Sequence, residues 1–248
     1  MPQTPACPPC LGSGPQAQTG FTQAPSFSVK YPVAKAVLFD VGNTLLLAHP
    51  RHWLFPLLEE RGLKPAREVG PALERAFQVY NARHLEAKTL EGALALWRSF
   101  HRTLLEGLGL ERQAEEIAQY LIQNWQDPRF WPLAPHAREV LEALKARGYR
   151  LAVVSNWDAT LPYILDTLGL SPFFDHLAVS ALSGVAKPDP RLFQEALQAL
   201  GVDRATHVGD SEEDRLGAEA LGLSFLRVDH LGLYGGLPSL KAVLDFLP

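Results

Sequence analysis

The chain has 248 residues, a formal net charge of −4 and 47% hydrophobic residues. That size and apolar content suffice for one full core and a smaller second unit, and the slight acidic excess offers no basic face for nucleic acid. No apolar run reaches membrane-spanning length, and the two cysteines give the folded part no disulfide framework, so a reducing, cytoplasmic location is expected.

Both cysteines lie in a leader, residues 1–33, rich in Pro, Gln, Gly, Ser and Thr and without helical or strand period. It has neither the basic start nor the apolar centre of a secretory signal. Cys7-Pro8-Pro9-Cys10 has the spacing of a metal or redox pair. A zinc site needs a second ligand pair, and a redox motif needs a strand before it and a helix after it; the leader supplies neither. A disordered leader is expected. Met1 is the only methionine, so a start assigned too far upstream, with Val29 or Val33 as the true beginning, is a second account of the same segment.

The first strand is read over Ala36–Asp40 and runs into Val41-Gly42-Asn43-Thr44-Leu45. A carboxylate ending a buried strand is costly unless it binds or attacks something. From about Pro50 to Gln126, apolar residues recur at helical spacing: Leu54, Leu57 and Leu58, then Leu73, Phe77 and Tyr80, then Leu94 and Trp97, then Ile117, Leu121 and Trp125. Turn signals at Gly62-Leu63-Lys64-Pro65, Thr89 and Gly107-Leu108-Gly109 divide the stretch into about four helices. Residues 49–131 therefore read as an all-helical insert between two parts of one core, 34–48 and 132–248.

Beyond Pro128, Pro132 and Pro135, a helix is expected from about His136 to Arg147, stopped by Gly148. Strands at Arg150–Ser155, His176–Ser180, Thr206–Gly209 and Ser224–Val228 alternate with helices near Thr160–Leu168, Pro190–Leu200, Glu212–Ala220 and Leu237–Phe246. Apolar strands separated by helices imply an α/β fold, a Rossmann-like parallel sheet covered on both faces. The crevice of such a sheet lies at the carboxyl ends of its strands. Asp40, Ser155 and Asp210 all fall there, and Lys187 lies in the loop after the strand ending near Ser180.

Four segments, in order, resemble the motifs of the haloacid dehalogenase (HAD) superfamily: Phe39-Asp40-Val41-Gly42, Val153-Val154-Ser155-Asn156, Ala186-Lys187-Pro188-Asp189, and Gly209-Asp210-Ser211-Glu212-Glu213-Asp214. The resemblance runs from Ala36 to the C-terminus and matches members with a helical cap inserted after the first motif. It implies a Mg²⁺-dependent hydrolase of phosphorylated small molecules, monomeric or homodimeric, with Asp40 as nucleophile. It further implies that Ser155 donates to a phosphoryl oxygen with Asn156 beside it, that Thr44 orients the first loop near the substrate, and that Lys187 neutralises phosphate and nucleophile. Asp40, the Gly42 carbonyl, Asp210 and Asp214 would hold the metal. Glu213 competes with Asp214 for the second acidic position, and counting back from Gly217-Ala218 selects Asp214.

Gly42 departs from the pattern. Phosphatases of the superfamily carry a general-acid Asp there, and glycine supplies no proton. Several readings follow. The leaving group needs no proton, as in acyl or aryl phosphates; or His49 or His52 serves as the acid. A phosphonatase-like Schiff base would use Lys64 or Lys88, and a dehalogenase-like reaction would need no metal, which the acidic cluster opposes. The chain could also be a degenerate HAD-fold binding protein without turnover. Substrate choice is expected from the cap, with Arg51, Trp53, Trp97, Arg98, His101, Arg102 and Arg129 as its polar and aromatic candidates.

Overall fold

The computed structural model describes residues 35–230 and 232–247, so the expectations for the leader and for Cys7 and Cys10 fall outside the described residues. In chain order the elements begin with β1 (Ala36–Phe39) and the helices α1 (Leu54–Glu60), α2 (Val69–Asn81), α3 (Leu90–Gly107) and α4 (Ala114–Gln123). They continue with α5 (Ala137–Ala146), β2 (Arg150–Ser155), α6 (Leu161–Thr167), β3 (His176–Val179) and α7 (Ser180–Ser183). Last come α8 (Pro190–Leu200), β4 (Thr206–Gly209), α9 (Glu212–Glu219) and β5 (Ser224–Arg227).

The strands form one parallel sheet of order β3-β2-β1-β4-β5, with β1 between β2 and β4. Side chains alternate across the sheet, so each strand feeds two cores. Val37, Phe39, Leu151 and Val153 pack with Val140 and Leu144 of α5 and Leu161 and Ile164 of α6. Leu38, Ala152 and Val154 pack on the other face with Leu192, Phe193 and Ala196 of α8. Helix starts follow local chemistry. Asp189 caps α8 by accepting from Arg191 N at 2.9 Å, with Pro190 at the first position. Ser211 and Asp214 close a capping box on α9.

Helices α1–α4 bury a cluster of their own around Leu54, Leu58, Ala76, Phe100, Leu104 and Ile117. Helix α3 approaches α2 so closely that a Cβ on Gly107 would lie 2.7 Å from Ala72 Cβ; only glycine fits. Two bonds tie this layer to the loop after β2: Tyr80 Oη donates to Asp158 Oδ2 at 2.6 Å, and Ala159 N donates to Ala87 O at 3.0 Å.

The four helices expected between the first two strands are present. On α2, however, Ala72 and Ala76 take the interior, and Leu73 and Phe77 are only half-buried. Two other expectations change. Ser180 opens α7 instead of ending a strand. The helix expected over Leu237–Phe246 is a 3₁₀ turn at Leu240–Asp245, because Leu237 N donates to Arg227 O at 2.8 Å and holds Leu237 in an extended bridge with Val228, directly before Pro238. No helix among the described residues is long and apolar enough to cross a membrane.

Candidate active site

Asp40 is the first residue beyond β1, and its amide extends the ladder by donating to Val208 O at 2.9 Å. Because β1 is central, the ends of β2 and β4 bring Ser155 and Asp210 to either side of it. The loop then folds back on itself: the amides of Thr44, Leu45 and Leu46 all point at Val41 O, and Asn43 takes the left-handed conformation at φ 52°. This turn sets the Thr44 hydroxyl 3.4 Å from Asp40 Oδ2.

The buried Lys187 ammonium bridges two carboxylates, donating to Asp40 Oδ1 and Asp214 Oδ1 at 2.6 Å each. Asp40 Oδ1 also accepts from Ser155 Oγ at 3.0 Å. Asp214 Oδ1 accepts from His207 Nε2 at 2.7 Å, and its Oδ2 accepts from Ser211 Oγ at 2.7 Å and Ser211 N at 3.1 Å. A carboxylate only accepts, so His207 carries its hydrogen on Nε2. Lys187 itself is held by Asn156, whose Oδ1 accepts from Lys187 N at 2.7 Å while Nδ2 donates to Lys187 O at 3.1 Å. That leaves one amide hydrogen of Asn156 for a ligand.

Charge in this site is unbalanced. Burial pushes the Asp40 carboxyl up against the opposing pull of Lys187. Burial, reinforced by the charges of Asp40 and Asp214, pushes Asp210 up to about 8. For Asp214, burial is outweighed by the Lys187 charge and the His207 hydrogen bond, which hold it well below the usual carboxylate range. For Lys187, burial is outweighed by Asp214 and Asp40, which hold it above the ordinary ammonium value. Oxygen atoms of Asp40, Asp210 and Asp214 all lie within 4.8 Å of one another. Three carboxylates facing one ammonium, with Asp210 short of positive charge, form an all-oxygen donor set suited to a hard divalent cation.

A cavity of about 320 Å³ opens from Asp40, Gly42, Ser155, Lys187 and Asp210 and runs beneath α2–α4. Trp53, Trp97 and His101 line it; the four arginines do not. Arg98, Arg102 and Arg129 lie on the surface, paired with Glu115, Glu106 and Asp127, and Arg51 is exposed beside His52. Lys64 and Lys88 are exposed and off the cavity. His49 and His52 line a second cavity of about 370 Å³, which touches Asp210 but not Asp40. Glu213 is exposed at the mouth of the first, whereas Asp214 is buried.

The family model of haloacid dehalogenase-like hydrolases matches residues 34–222. The chain belongs to this family. Haloacid dehalogenase-like hydrolase domain-containing protein 3 of Bos taurus is 37% identical over 155 residues, 61% of this chain and 58% of that protein, so the match spans little more than half of that relative. The phosphoserine phosphatase of Thermus thermophilus is 33% identical over 214 residues, 80% of this chain and 82% of that enzyme. Among solved structures, the HAD hydrolase YfnB of Bacillus subtilis, bound to magnesium, shares the fold with a TM-score of 0.60 at 19% identity over 86% of this chain and 98% of that one.

In this HAD-like hydrolase the motif residues converge, but sequence reasoning missed three of their partners. His207 sits fully buried in β4, between Phe193 and Phe225. A polar residue in the middle of a strand was the available signal. Ser211 follows Asp210 directly and fixes Asp214. Trp157, next to Asn156, lies 3.7 Å from where a Cβ on Gly42 would stand.

Proposed function

We propose that this hydrolase is a Mg²⁺-dependent phosphatase of small phosphorylated molecules, acting through an aspartyl-phosphate on Asp40. The observation that carries the reading is the Asp40 carboxylate, fixed by Lys187, Ser155 and Thr44 at a strand end and open to a cavity. Asp40 attacks phosphorus and the ester oxygen departs; water then cleaves the acyl phosphate and restores the carboxylate. Lys187 neutralises charge shared between nucleophile and phosphoryl group. Ser155 turns its hydroxyl from Asp40 to a phosphoryl oxygen, and the free amide hydrogen of Asn156 supports the same group. Asp40, Asp210, the Gly42 carbonyl and Asp214 would hold Mg²⁺, which supplies charge neutralisation at the phosphoryl oxygens when bound. Asp214 also keeps Lys187 in place, its Oδ1 accepting from the ammonium at 2.6 Å.

Gly42 gives no proton, so leaving groups stable as anions are preferred. Residues 49–131 act as the cap over a core of 34–48 and 132–248; their separate apolar cluster supports that division. The Thermus relative is named a phosphoserine phosphatase, which supports phosphate-ester chemistry. A Schiff base on Lys64 or Lys88 has no support from their exposed positions, and a metal-free dehalogenase would leave three clustered carboxylates with the Lys187 ammonium as their one counter-charge among the described residues. Gly42 favours one second reading, a phospho-ligand binding protein without turnover. The test is phosphate release from a panel of phosphorylated metabolites and aryl phosphates. Release with Mg²⁺ that stops on chelation is expected; no release from any member of the panel selects the binding protein.

A further inference from the structure

Six large apolar side chains, Phe77, Leu94, Trp97, Ile122, Trp125 and Trp131, are only half-buried by the protein, and all line the cavity that opens on Asp40. They come from α2, α3, α4 and the segment after α4. Phe77, Trp97 and Trp131 pack against the helical core around Leu54, Leu58, Phe100, Leu104 and Ile117, yet stay only half-buried. A concave apolar wall left uncovered is unfavourable unless a ligand covers it.

Three indoles and the Tyr80 hydroxyl of this wall already donate their polar hydrogens within the protein. Trp53 Nε1 donates to Ala48 O at 3.1 Å, Trp131 Nε1 to Trp125 O at 2.5 Å, and Trp157 Nε1 to Thr160 Oγ1 at 3.2 Å. The Tyr80 hydroxyl is engaged by Asp158. Charge is confined to the sheet end, at Asp40, Lys187, Asp210 and Glu213. His101 deeper in is neutral, since burial lowers its imidazole to about 3. Lys187 is the only cation among the described lining residues, so nothing deeper would pair with a substrate carboxylate. Against the indole and phenyl faces sugar or polyol hydroxyls would lose water, with Asn81 the one side-chain amide among the described residues on the helical side of the cavity to answer them.

We propose that the substrate is a phosphate monoester of a phenol, its ring held against Phe77, Trp97 and Trp131 and its phosphate at Asp40. This rests on the phosphatase reading above. Asp40 attacks phosphorus, the bond from phosphorus to the ring oxygen breaks, and the aryloxide leaves with the bonding pair. One water is consumed in all: its proton goes to the aryloxide and its hydroxyl to phosphorus, which returns the Asp40 carboxylate and inorganic phosphate. An aryloxide is a stable enough anion to leave without a general acid, which accords with glycine at position 42.

The experiment has a binding arm and a turnover arm on the full chain with Mg²⁺. Binding compares the non-hydrolysable 1-naphthylmethylphosphonate with ethylphosphonate by calorimetry. The naphthyl compound is expected to bind at least about tenfold more tightly, a difference of roughly 1.4 kcal/mol. Trp97→Ala, with Ile122→Ser as a second variant should the first fail to fold, removes that preference, whereas Arg98→Ala on the outer surface keeps it. Turnover compares 1-naphthyl phosphate with O-phosphoserine and glycerol phosphate. Equal affinity for the two phosphonates overturns the aromatic class, even if phosphates are hydrolysed. A naphthyl preference in binding with no hydrolysis of any phosphate keeps the aromatic ligand and removes the phosphatase reading instead.

Discussion

The indole of Trp157 stands beside Gly42, its nearest carbon 3.7 Å from the position of a Cβ there, which is ordinary van der Waals contact. The left-handed residue of the loop is Asn43, so the backbone at 42 accepts an L side chain. Gly42→Asp should therefore fold and place a carboxyl near the leaving group. Turnover of alkyl phosphates should rise roughly 10- to 100-fold, within or below the 10²- to 10⁴-fold typical of general acids. A plot of log kcat/KM against leaving-group pKa should be steep for the wild type and flatter for the variant. Equal slopes with both proteins folded would mean that an acid already acts elsewhere.

The sheet was legible in the sequence because β1 and β2 are short apolar runs and the strands alternate with helices, and its carboxyl ends located Asp40, Ser155 and Asp210. Lys187 was legible from its Lys-Pro-Asp setting. The hidden part consists of contacts between distant segments. The Asn156 clamp on Lys187 spans 31 residues, and Asp158 meets Tyr80 across 78. Tryptophans at helical spacing read equally as core or as cavity wall until α2, α3 and α4 are packed. The arginines looked like substrate ligands only because helical periodicity does not reveal which face looks outward.

Lys187→Met removes the ammonium from between Asp40 and Asp214, both buried. Breaking a buried pair from one side costs about 3–5 kcal/mol, and loss of a charge-stabilising donor lowers kcat on the order of 10²- to 10³-fold. Urea denaturation and steady-state rates check the two effects. A fully active, fully stable variant would show that Lys187 is not engaged as described.

His101 should make the protein acid-sensitive. Burial lowers its folded pKa from 6.5 to about 3. Below 6.5 the unfolded chain takes up a proton that the folded chain refuses, so stability falls as pH drops from 6.5 toward 3. At pH 5 this group alone costs about 2 kcal/mol. His101→Phe should lose less stability than the wild type between pH 7 and pH 5 in matched denaturation curves; identical losses would contradict the assignment.

Tyr80→Phe deletes the 2.6 Å bond to Asp158, which still accepts from Thr160 N and Oγ1. A buried acceptor losing one partner costs about 1–3 kcal/mol. Because this bond ties α2 to the loop after β2, amide exchange should quicken in α2 and stay unchanged in β1 and β2. Uniform quickening across the chain would show that the bond does not tie the helical layer locally.

The most direct measurement of the central claim is acid quenching during turnover of 4-nitrophenyl phosphate with Mg²⁺, followed by mass mapping of peptides. A single phosphoryl group on the peptide containing Asp40, absent from Asp40→Asn and from the chelated wild type, is the predicted result. Release of 4-nitrophenol at the wild-type rate by a folded Asp40→Asn protein would contradict it.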